Sequence, residues 1–438
     1  MKIFDRFVCK SLLLGGTSIA LFSGCSLLPS PQAHLSGNRA FIAYWPATDS
    51  NQLKLAVKDN IDVKGVVTTA GSKRLAQKGA PAATDAPCLA IARQRNIHIV
   101  GKANLSEFAV APSGFNEYFG TPPSPLSNSR ELLPGGSSCG SAVAVASGMA
   151  DVAFGTDTAG SIRVPAAWCG VVGLKTTYGL VPIEGVFPIE PEHLDTVGPM
   201  AKDIAHTVQG MDLLQNGFAA RYAAVMAAKP SAQGIRIGRL TLKDTDPKID
   251  QAVDEALAKT GFQVIRLDDS VREAWERAKE DGNAIAAAGA WISDKRFRYA
   301  RGVAARTKAA ILAGRIAYRK SYGEALARRA EWQHTLEEIF QKVDFIALPT
   351  LQTPPPPIPP NLKIGLMEAR MLELQNTVPV NFAGNPAVAL PIPLRDAEVI
   401  VTSLQLIGPR LGEAQLLNAG RLVEAAVKQM KEDNLAGP

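Results

Sequence analysis

Two serines, Ser137 and Ser161, stand in a glycine-rich stretch of this sequence whose residue types fit hydrolytic chemistry. A serine hydroxyl attacks a carbonyl at neutral pH only with a base in reach, and the resulting oxyanion needs hydrogen-bond donors. The base indicated is Lys58, which follows a short apolar run. A lysine accepts a proton when burial lowers its pKa. The pattern therefore predicts acyl transfer to a serine, with Ser137 as proton relay.

The small residues before Ser161 predict where the oxyanion would be bound. Thr158, Ala159 and Gly160 allow successive backbone N–H groups to converge, as in an anion-binding nest. A site of this kind would need no histidine, metal or cofactor.

The elements that must hold these residues follow an α/β rhythm. A β-like run over Leu53–Val57 would place Lys58 at a strand end, and a buried strand over Val152–Phe154 leads into the loop that carries Ser161. An Ala- and Val-rich helix is predicted over Ser141–Gly148. Strand, glycine-rich loop, serine and helix in this order indicate an α/β enzyme.

Composition sets the size and class of the protein. With 438 residues, 46% of them hydrophobic and 20% charged, the chain can bury a substantial core. The formal net charge of +6 is dispersed among acidic residues, so nucleic acid is not an expected partner. We expect one large domain, in which residues 271–342 form a helical, charged outer layer around the substrate opening.

The amino-terminal residues resemble an export signal rather than part of the fold. Lys2, Arg6 and Lys10 precede an apolar run over residues 11–24, shorter than the roughly 20 residues that span a bilayer. Cys25 then resembles the lipidated cysteine of bacterial lipoproteins. We predict export to the bacterial cell envelope, with membrane contact only through a lipid on Cys25. The predicted organisation is a signal peptide over residues 1–25, a flexible tether over 26–45 and one catalytic domain over 46–435.

Cysteines and histidines form no metal-binding motif in the sequence. The cysteines after the signal, Cys88, Cys139 and Cys169, form no C-x-x-C pair, and the five histidines show no H-x-x-x-H spacing. We therefore expect neither a metal nor a cofactor. A single disulfide is allowed but not implied.

Several segments, in order, resemble the amidase signature family. They are LAVKDNIDVKGVVTTAGSK (Leu55–Lys73), GKANLSEFA (Gly101–Ala109), GGSSCGSAVAVASG (Gly135–Gly148) and GTDTAGSIRVPAAWCGVVGLK (Gly155–Lys175), followed by DFIALPT, NFAGNPAVALP and SLQLIG near the carboxyl end. The resemblance covers nearly all of the chain after about residue 50. It implies a single large α/β domain with a central mixed, mostly parallel twisted sheet covered by helices on both faces.

The same resemblance implies roles for individual residues. Ser161 would be the nucleophile that forms the acyl-enzyme, Ser137 the bridging serine after a cis peptide bond, and Lys58 the base. The oxyanion hole would be formed by the backbone N–H groups of four successive residues, Thr158, Ala159, Gly160 and Ser161. Three side chains would support the hydrogen bonds, those of Ser138, Ser141 and Asp157. The implied reaction converts a small-molecule or peptide carboxamide to a carboxylic acid and ammonia or an amine.

The chain departs from the family pattern at three positions. Glycine is more usual where this sequence has Cys139 and Ala159, and proline where it has Thr176. Ala159 keeps its N–H group, so the predicted oxyanion hole is preserved.

Three other interpretations use the same residues. Gly136–Gly140 matches the G-x-S-x-G elbow of α/β-hydrolases with Ser138 as nucleophile, but the polar stretch before it does not predict the strand that an elbow needs. The candidate bases would then be His193, His206 and His334. A second interpretation is an exported lipoprotein that binds an amide without cleaving it and does not need Lys58. A third, in which the chain is part of an amidotransferase of the same family, is disfavoured by the export signal.

Overall fold

Eleven strands form one mixed sheet in the computed structural model, which describes residues 38–436 except 48–51, 128, 230, 361–362 and 397–398. The strands are β1 (Phe41–Tyr44), β2 (Lys54–Lys58), β3 (His98–Ala103), β4 (Val152–Asp157), β5 (Val172–Lys175), β6 (Thr196–Ala201), β7 (Arg236–Arg239), β8 (Gln263–Arg266), β9 (Phe345–Pro349), β10 (Ala387–Pro393) and β11 (Val401–Ile407).

Helices flank this sheet, so the protein is a single α/β domain. The described α-helices are α1 (Lys73–Lys78), α2 (Ala90–Gln94), α3 (Cys139–Ala146), α4 (Arg163–Cys169), α5 (Ile204–Leu214), α6 (Phe218–Ala228), α7 (Pro247–Thr260), α8 (Asp269–Asp294), α9 (Ala305–Lys320), α10 (Tyr322–Lys342), α11 (Ile364–Leu374), α12 (Val378–Ala383) and α13 (Glu413–Ala436). The expected helical character of residues 271–342 is confirmed by α8, α9 and α10. None of the helices among these residues has the length and apolar character needed to cross a bilayer.

The strand order across the sheet is β1-β3-β2-β4-β6-β5-β10-β11-β9-β7-β8. The mixed sheet is confirmed, but its expected mostly parallel character is wrong: six of the ten pairings between the described strands are antiparallel. The parallel pairs lie towards the two ends of the sheet, whereas β6, β5, β10 and β11 form an antiparallel centre. One reason is the short connection between β10 and β11, because parallel neighbours need a long crossover.

Two parallel strands bring the candidate site together. β2 and β4 are paired in parallel, with Val57 opposite Phe154, so Lys58 and Asp157 end their strands at the same edge of the sheet. β6 runs antiparallel to β4, and its first residue, Thr196, lies opposite Asp157. The loop that precedes β6 therefore reaches the same edge.

Of the amino-terminal predictions, one falls on residues that the structure describes. Residues 41–44 were predicted to belong to a flexible tether, but they form β1, which pairs with β3 in the sheet. The buried side chains of Phe41 and Ile42 make this segment part of the fold. The predicted signal peptide and Cys25 lie outside the described residues.

Candidate active site

Lys58 is fully buried at the end of β2. Its Nζ donates to Ser137 Oγ at 2.7 Å and to Thr156 Oγ1 at 2.8 Å. Burial lowers the pKa of Lys58 to about 7, although Cys139, Asp157 and Asp195 act in the opposite direction. A neutral amine, able to accept a proton, is therefore accessible to this lysine near neutral pH.

Ser137 is held in a tight backbone environment just before α3. The Gly136–Ser137 peptide bond is cis, as the resemblance implies. A Cβ added to Gly136 would lie 2.5 Å from the backbone nitrogen of Gly114, so the close approach of that loop requires glycine. The carbonyl of Ser137 accepts the N–H of Ser106 at 3.2 Å.

Ser161 is partly exposed at the end of the loop after β4, whereas Ser137 is fully buried. A backbone hydrogen bond connects the two segments that carry these serines: the N–H of Ser138 donates to the carbonyl of Ser161 at 3.2 Å. Among the described residues, no hydrogen bond joins the hydroxyls of Ser137 and Ser161. The structure thus brings Lys58 and Ser137 into direct contact and places Ser161 beside them.

Asp157 determines the shape of the loop between β4 and α4. Its carboxylate accepts the N–H of Gly160 at 2.8 Å and that of Ile162 at 3.1 Å. The N–H of Gly160, predicted as an oxyanion donor, is therefore already in use and does not point freely into the site. The backbone hydrogen bonds of the described residues leave the N–H groups of Thr158, Ala159 and Ser161 unused.

A fully buried ion pair holds Asp157 in place. Arg163 donates to its carboxylate through Nη2 at 2.9 Å and Nε at 3.1 Å. Burial would raise the pKa of Asp157, but the charge and hydrogen bonds of Arg163, aided by Lys175 and Asn381, lower it to about 2. Asp157 thus stays ionised near neutral pH and can keep its two backbone contacts.

Arg163 was not identified from the sequence. It also contacts Thr377 and Gln405 and donates to Asn381, which ties α4 to α12 and β11. The available signal was a single charge inside the apolar run IRVPAAWCGVVG, because a buried charge requires a partner.

A second carboxylate orients the other end of this loop. Thr158 Oγ1 donates to Asp195 at 2.6 Å, and Asp195 also accepts the N–H groups of Ile189 and Glu190. Burial raises the pKa of Asp195, against the effect of these hydrogen bonds and of Lys58. Asp195, which lies directly before β6, was not identified from the sequence.

The predicted supporting serines lie on α3 or at its start and bond to the backbone of β4. Ser138 Oγ donates to the carbonyl of Thr156 at 3.3 Å, and Ser141 Oγ to that of Phe154 at 3.4 Å. Cys139 is buried between them, and burial raises the pKa of its thiol to about 12. This cysteine is a thiol at neutral pH, with a packing role.

The geometry around Ser138 does not favour the nucleophile-elbow interpretation. No strand leads into Ser138 in the described chain, and its side chain is fully buried. His206 contacts Asp203 at 2.6 Å, and His334 is 72% exposed beside two glutamates. Neither these histidines nor His193 forms a hydrogen bond with Ser138 in the described part of the chain.

The described residues contain no group of three or more His, Cys, Asp or Glu side chains arranged to hold a metal ion. Cys88, Cys139 and Cys169 are all buried and free.

Lys58, Ser137 and the loop shaped by Asp157 all lie in a part of the chain whose sequence matches a known protein family. The family model described as Amidase matches residues 53–417. The chain belongs to the amidase family. Membership supports cleavage of an amide carbon–nitrogen bond as the class of reaction.

Relatives of this amidase differ in what they act on. A glutamyl-tRNA(Gln) amidotransferase subunit from Halobacterium salinarum is 34% identical over 414 residues, which are 84% of this chain and 94% of the relative. A 2-amino-5-chloromuconic acid deaminase from Comamonas testosteroni is 34% identical over 398 residues, 86% of this chain and 82% of that one. The crystal structure of the corresponding glutamyl-tRNA(Gln) amidotransferase subunit from Thermotoga maritima has a TM-score of 0.72 at 26% identity and covers 90% of this chain and 88% of its own.

Proposed function

We propose that this amidase hydrolyses a carboxamide through an ester on Ser161, with Lys58 acting through Ser137 as the base. The observation that carries the proposal is the hydrogen bond of 2.7 Å between Lys58 and Ser137, both fully buried. The lysine pKa of about 7 supports the role of base, because a proton acceptor works best near the operating pH.

In the proposed first half-reaction, Lys58 takes the proton of Ser137 while Ser137 takes that of Ser161. Ser161 Oγ then bonds to the amide carbonyl carbon, and the carbonyl oxygen becomes an oxyanion. When this intermediate collapses, the carbon–nitrogen bond breaks and the proton returns through Ser137 to the leaving nitrogen. Ammonia or an amine departs, and an ester remains on Ser161.

In the second half-reaction, water replaces Ser161 as the attacking group. The same lysine and serine remove its proton, and the ester bond breaks with return of a proton to Ser161 Oγ. A carboxylic acid is released and the enzyme is restored. No external oxidant, reductant or metal enters this balance.

Three N–H groups, those of Thr158, Ala159 and Ser161, are the donors that we assign to the oxyanion. They are unused in the backbone hydrogen bonds of the described residues, whereas that of Gly160 is bound by Asp157. Donors fixed in advance cost no reorganisation during the reaction, and loss of one costs roughly a hundredfold to a thousandfold in kcat.

A fluorophosphonate probe with intact-protein and peptide mass spectrometry tests the nucleophile. We expect one adduct, on Ser161, with none in Ser161→Ala and an undiminished adduct in Ser129→Ala, an exposed serine outside the site. An adduct on Ser138 would instead support the nucleophile elbow. Absence of labelling in the folded protein would favour a protein that binds an amide without cleaving it.

A second candidate function is release of ammonia from glutamine, as one component of an amidotransferase. Similarity to the glutamyl-tRNA(Gln) amidotransferase subunit of Halobacterium salinarum favours it. A panel of glutamine, aliphatic and aryl amides and amidated peptides separates the two. Turnover of glutamine alone would favour this second function over a general amidase.

We also propose that the chain is exported and carries a lipid on Cys25, on the basis of the sequence around that residue. Expression in a bacterium with labelled palmitate, followed by fractionation, tests this. We expect the label in the membrane fraction, and its loss in Cys25→Ser.

A further inference from the structure

A cleft of about 700 Å³ opens between α10, the turn after α12 and the segment after β11. None of the candidate active-site residues lines it. Two of its lining residues are arginines, Arg329 on α10 and Arg410 in the segment after β11. Every hydrogen bond that these two guanidinium groups donate among the described residues goes to a backbone carbonyl. The charge of Glu190 also acts on Arg329.

The residues that line the cleft carry more positive than negative charge. Its lining includes one acidic residue, Glu337, whose carboxylate is 73% exposed and lies 3.9 Å from His334. Such an exposed carboxylate is screened by water and contributes little to neutralising two arginines.

Arg329 is held in position by some of its N–H groups, and in the described part of the chain others remain free to donate. Its Nε donates to the carbonyl of Phe382 at 2.7 Å and its Nη2 to that of His193 at 2.9 Å. The guanidinium group also lies over the ring of Tyr178, 5.6 Å from the centroid. Its Nη1 donates to no group among the described residues. Arg329 is thus held rigidly, with donor capacity left for a ligand.

Arg410 is an exposed side chain with weak contacts only. It donates to the carbonyls of Ala383, Gly384 and Tyr178 at 3.4 to 3.5 Å, the long limit of a hydrogen bond. A ligand that offers a shorter, charged acceptor would replace them at little cost.

Gly384 keeps the space between the two arginines open. A Cβ at this position would lie 2.5 Å from Arg410 Nη1 and 3.7 Å from Arg329 Nη2. The φ angle of +88° also favours glycine here. The two guanidinium groups therefore flank one point of the backbone without a side chain between them.

We propose that this cleft binds a small organic carboxylate, with its two oxygens between Arg329 and Arg410 and its apolar part against Leu336, Phe340 and Pro409. Arginine presents paired N–H donors that match the geometry of a carboxylate. Small-molecule sites commonly combine apolar walls with a few fixed polar groups, as this cleft does.

The surroundings favour a monoanion over phosphate. The carbonyl groups of Phe382, Ala383 and Gly384, at the end of α12, face the same arginines. The carboxyl end of a helix carries partial negative charge, which opposes a dianion more than a carboxylate. At helices, phosphate binds favourably at the amino end, where the dipole attracts negative charge.

Isothermal titration calorimetry with phenylacetate tests the proposal on the full chain. We expect binding at one site, with the neutral 2-phenylethanol not binding and inorganic phosphate binding more weakly. Arg410→Gln, a change at an exposed residue, should weaken phenylacetate binding tenfold or more. Arg329→Lys should weaken it as well, because lysine lacks the paired donors. The matched control is Arg266→Gln, 78% exposed on β8, which should bind as the parent does.

A carboxylate is also the product of amide hydrolysis, so Lys58→Met is measured in parallel. The inference does not depend on the proposed hydrolysis, and we expect Lys58→Met to bind phenylacetate unchanged. Loss of binding in Lys58→Met with full binding in Arg410→Gln would place the ligand at the lysine site and overturn the inference. Equal or tighter binding of phosphate, or no binding of phenylacetate at millimolar concentration, would overturn it too.

Discussion

Lys58 Nζ and Ser137 Oγ lie 2.7 Å apart although the two residues are separated by 79 positions in the sequence. Neither side chain is exposed to solvent. The contact places an amine of lowered pKa directly on a serine hydroxyl, and the same amine donates to Thr156 on the parallel neighbouring strand β4. The first prediction concerns the proton that this pair would exchange.

Activity should fall as the pH drops through about 7, the pKa of Lys58. The protonated form cannot accept a proton, so the active fraction is high above this pH and is lost below it. We expect kcat/KM for a neutral amide to rise with pH and level off above about pH 8, because the profile of kcat/KM reports the pKa of the free enzyme.

Lys58→Met should remove the base and lower kcat/KM by at least about a hundredfold over the whole pH range. The matched control is Lys54→Met, on the same strand, where the side chain is 26% exposed and faces Asp151. It should leave the profile unchanged. A normal pH profile in Lys58→Met would rule out the lysine as the base.

The second prediction concerns Gly160. A Cβ there would lie 2.2 Å from Thr377 Oγ1, and the φ angle is +138°. Gly160→Ala must therefore displace the loop that precedes Ser161, and we expect kcat to fall at least about a hundredfold because the oxyanion donors move. Steady-state kinetics and thermal unfolding measure the two effects.

Gly148→Ala is the matched control, because its φ angle of +68° is also left-handed but no atom lies within 4 Å of the added Cβ. It should cost only the strain of the backbone, about 1 kcal/mol, with kcat unchanged. Similar kinetics in both variants would show that the loop at Gly160 tolerates a side chain.

The strands that carry Lys58 and Asp157 were predictable from the sequence. Strands buried on both faces form continuous apolar runs, and the ends of the predicted runs Leu53–Val57 and Val152–Phe154 fall within three residues of those of β2 and β4. The position of Lys58 at a strand end followed from this. Its partnership with Ser137 was expected from residue types and from the family resemblance, because contacts between residues far apart in the sequence are not visible in local pattern.

Other features were hidden for physical reasons. β6, over Thr196–Ala201, contains a glycine and a proline, which weaken the strand signal. β1 was assigned to a tether because a four-residue strand has little pattern of its own. The use of the Gly160 N–H by Asp157 depends on a side-chain orientation, and sequence does not specify that.

The third prediction concerns the buried pair of Asp157 and Arg163, both 0% exposed. Arg163→Met leaves the carboxylate of Asp157 without its cationic partner, and removal of one member of a buried pair costs about 3 to 5 kcal/mol. We expect this loss in the free energy of unfolding, measured by urea denaturation, together with reduced kcat as the loop relaxes.

An exposed ion pair provides the comparison for Arg163. Arg370 and Glu373 are 2.6 Å apart but 61% and 65% exposed, so Arg370→Met should cost less than about 1 kcal/mol. Equal losses in the free energy of unfolding for Arg163→Met and Arg370→Met would contradict the prediction that the buried pair stabilises the fold more than the exposed pair.

The fourth prediction concerns Asp294 at the end of α8. Its side chain is 1% exposed and neither carboxylate oxygen has a hydrogen-bond partner among the described residues. Burial raises the pKa of Asp294 to about 8, with Arg296 acting in the opposite direction. In the unfolded chain an aspartate releases its proton at about pH 4. Between that pH and about pH 8 the folded state keeps a proton that the unfolded state has lost, so the free energy of unfolding decreases as the pH rises.

Asp294→Asn removes that titration, so the variant should match the parent at about pH 4 and exceed its free energy of unfolding by roughly a few kcal/mol at about pH 8. Chemical denaturation across this pH range measures the difference. Asp269→Asn, at the exposed start of the same helix with a side chain 79% accessible, should show no such growth with pH. Two results would contradict this prediction: a stability difference between Asp294→Asn and the parent that does not change with pH, or a variant that is less stable than the parent at about pH 8. Either would mean that the Asp294 carboxylate is ionised in the folded protein and hydrogen-bonded, for example to an ordered water. The gain is expected because the folded parent must hold a proton on Asp294 that the unfolded chain has released, whereas the neutral amide of Asn needs none.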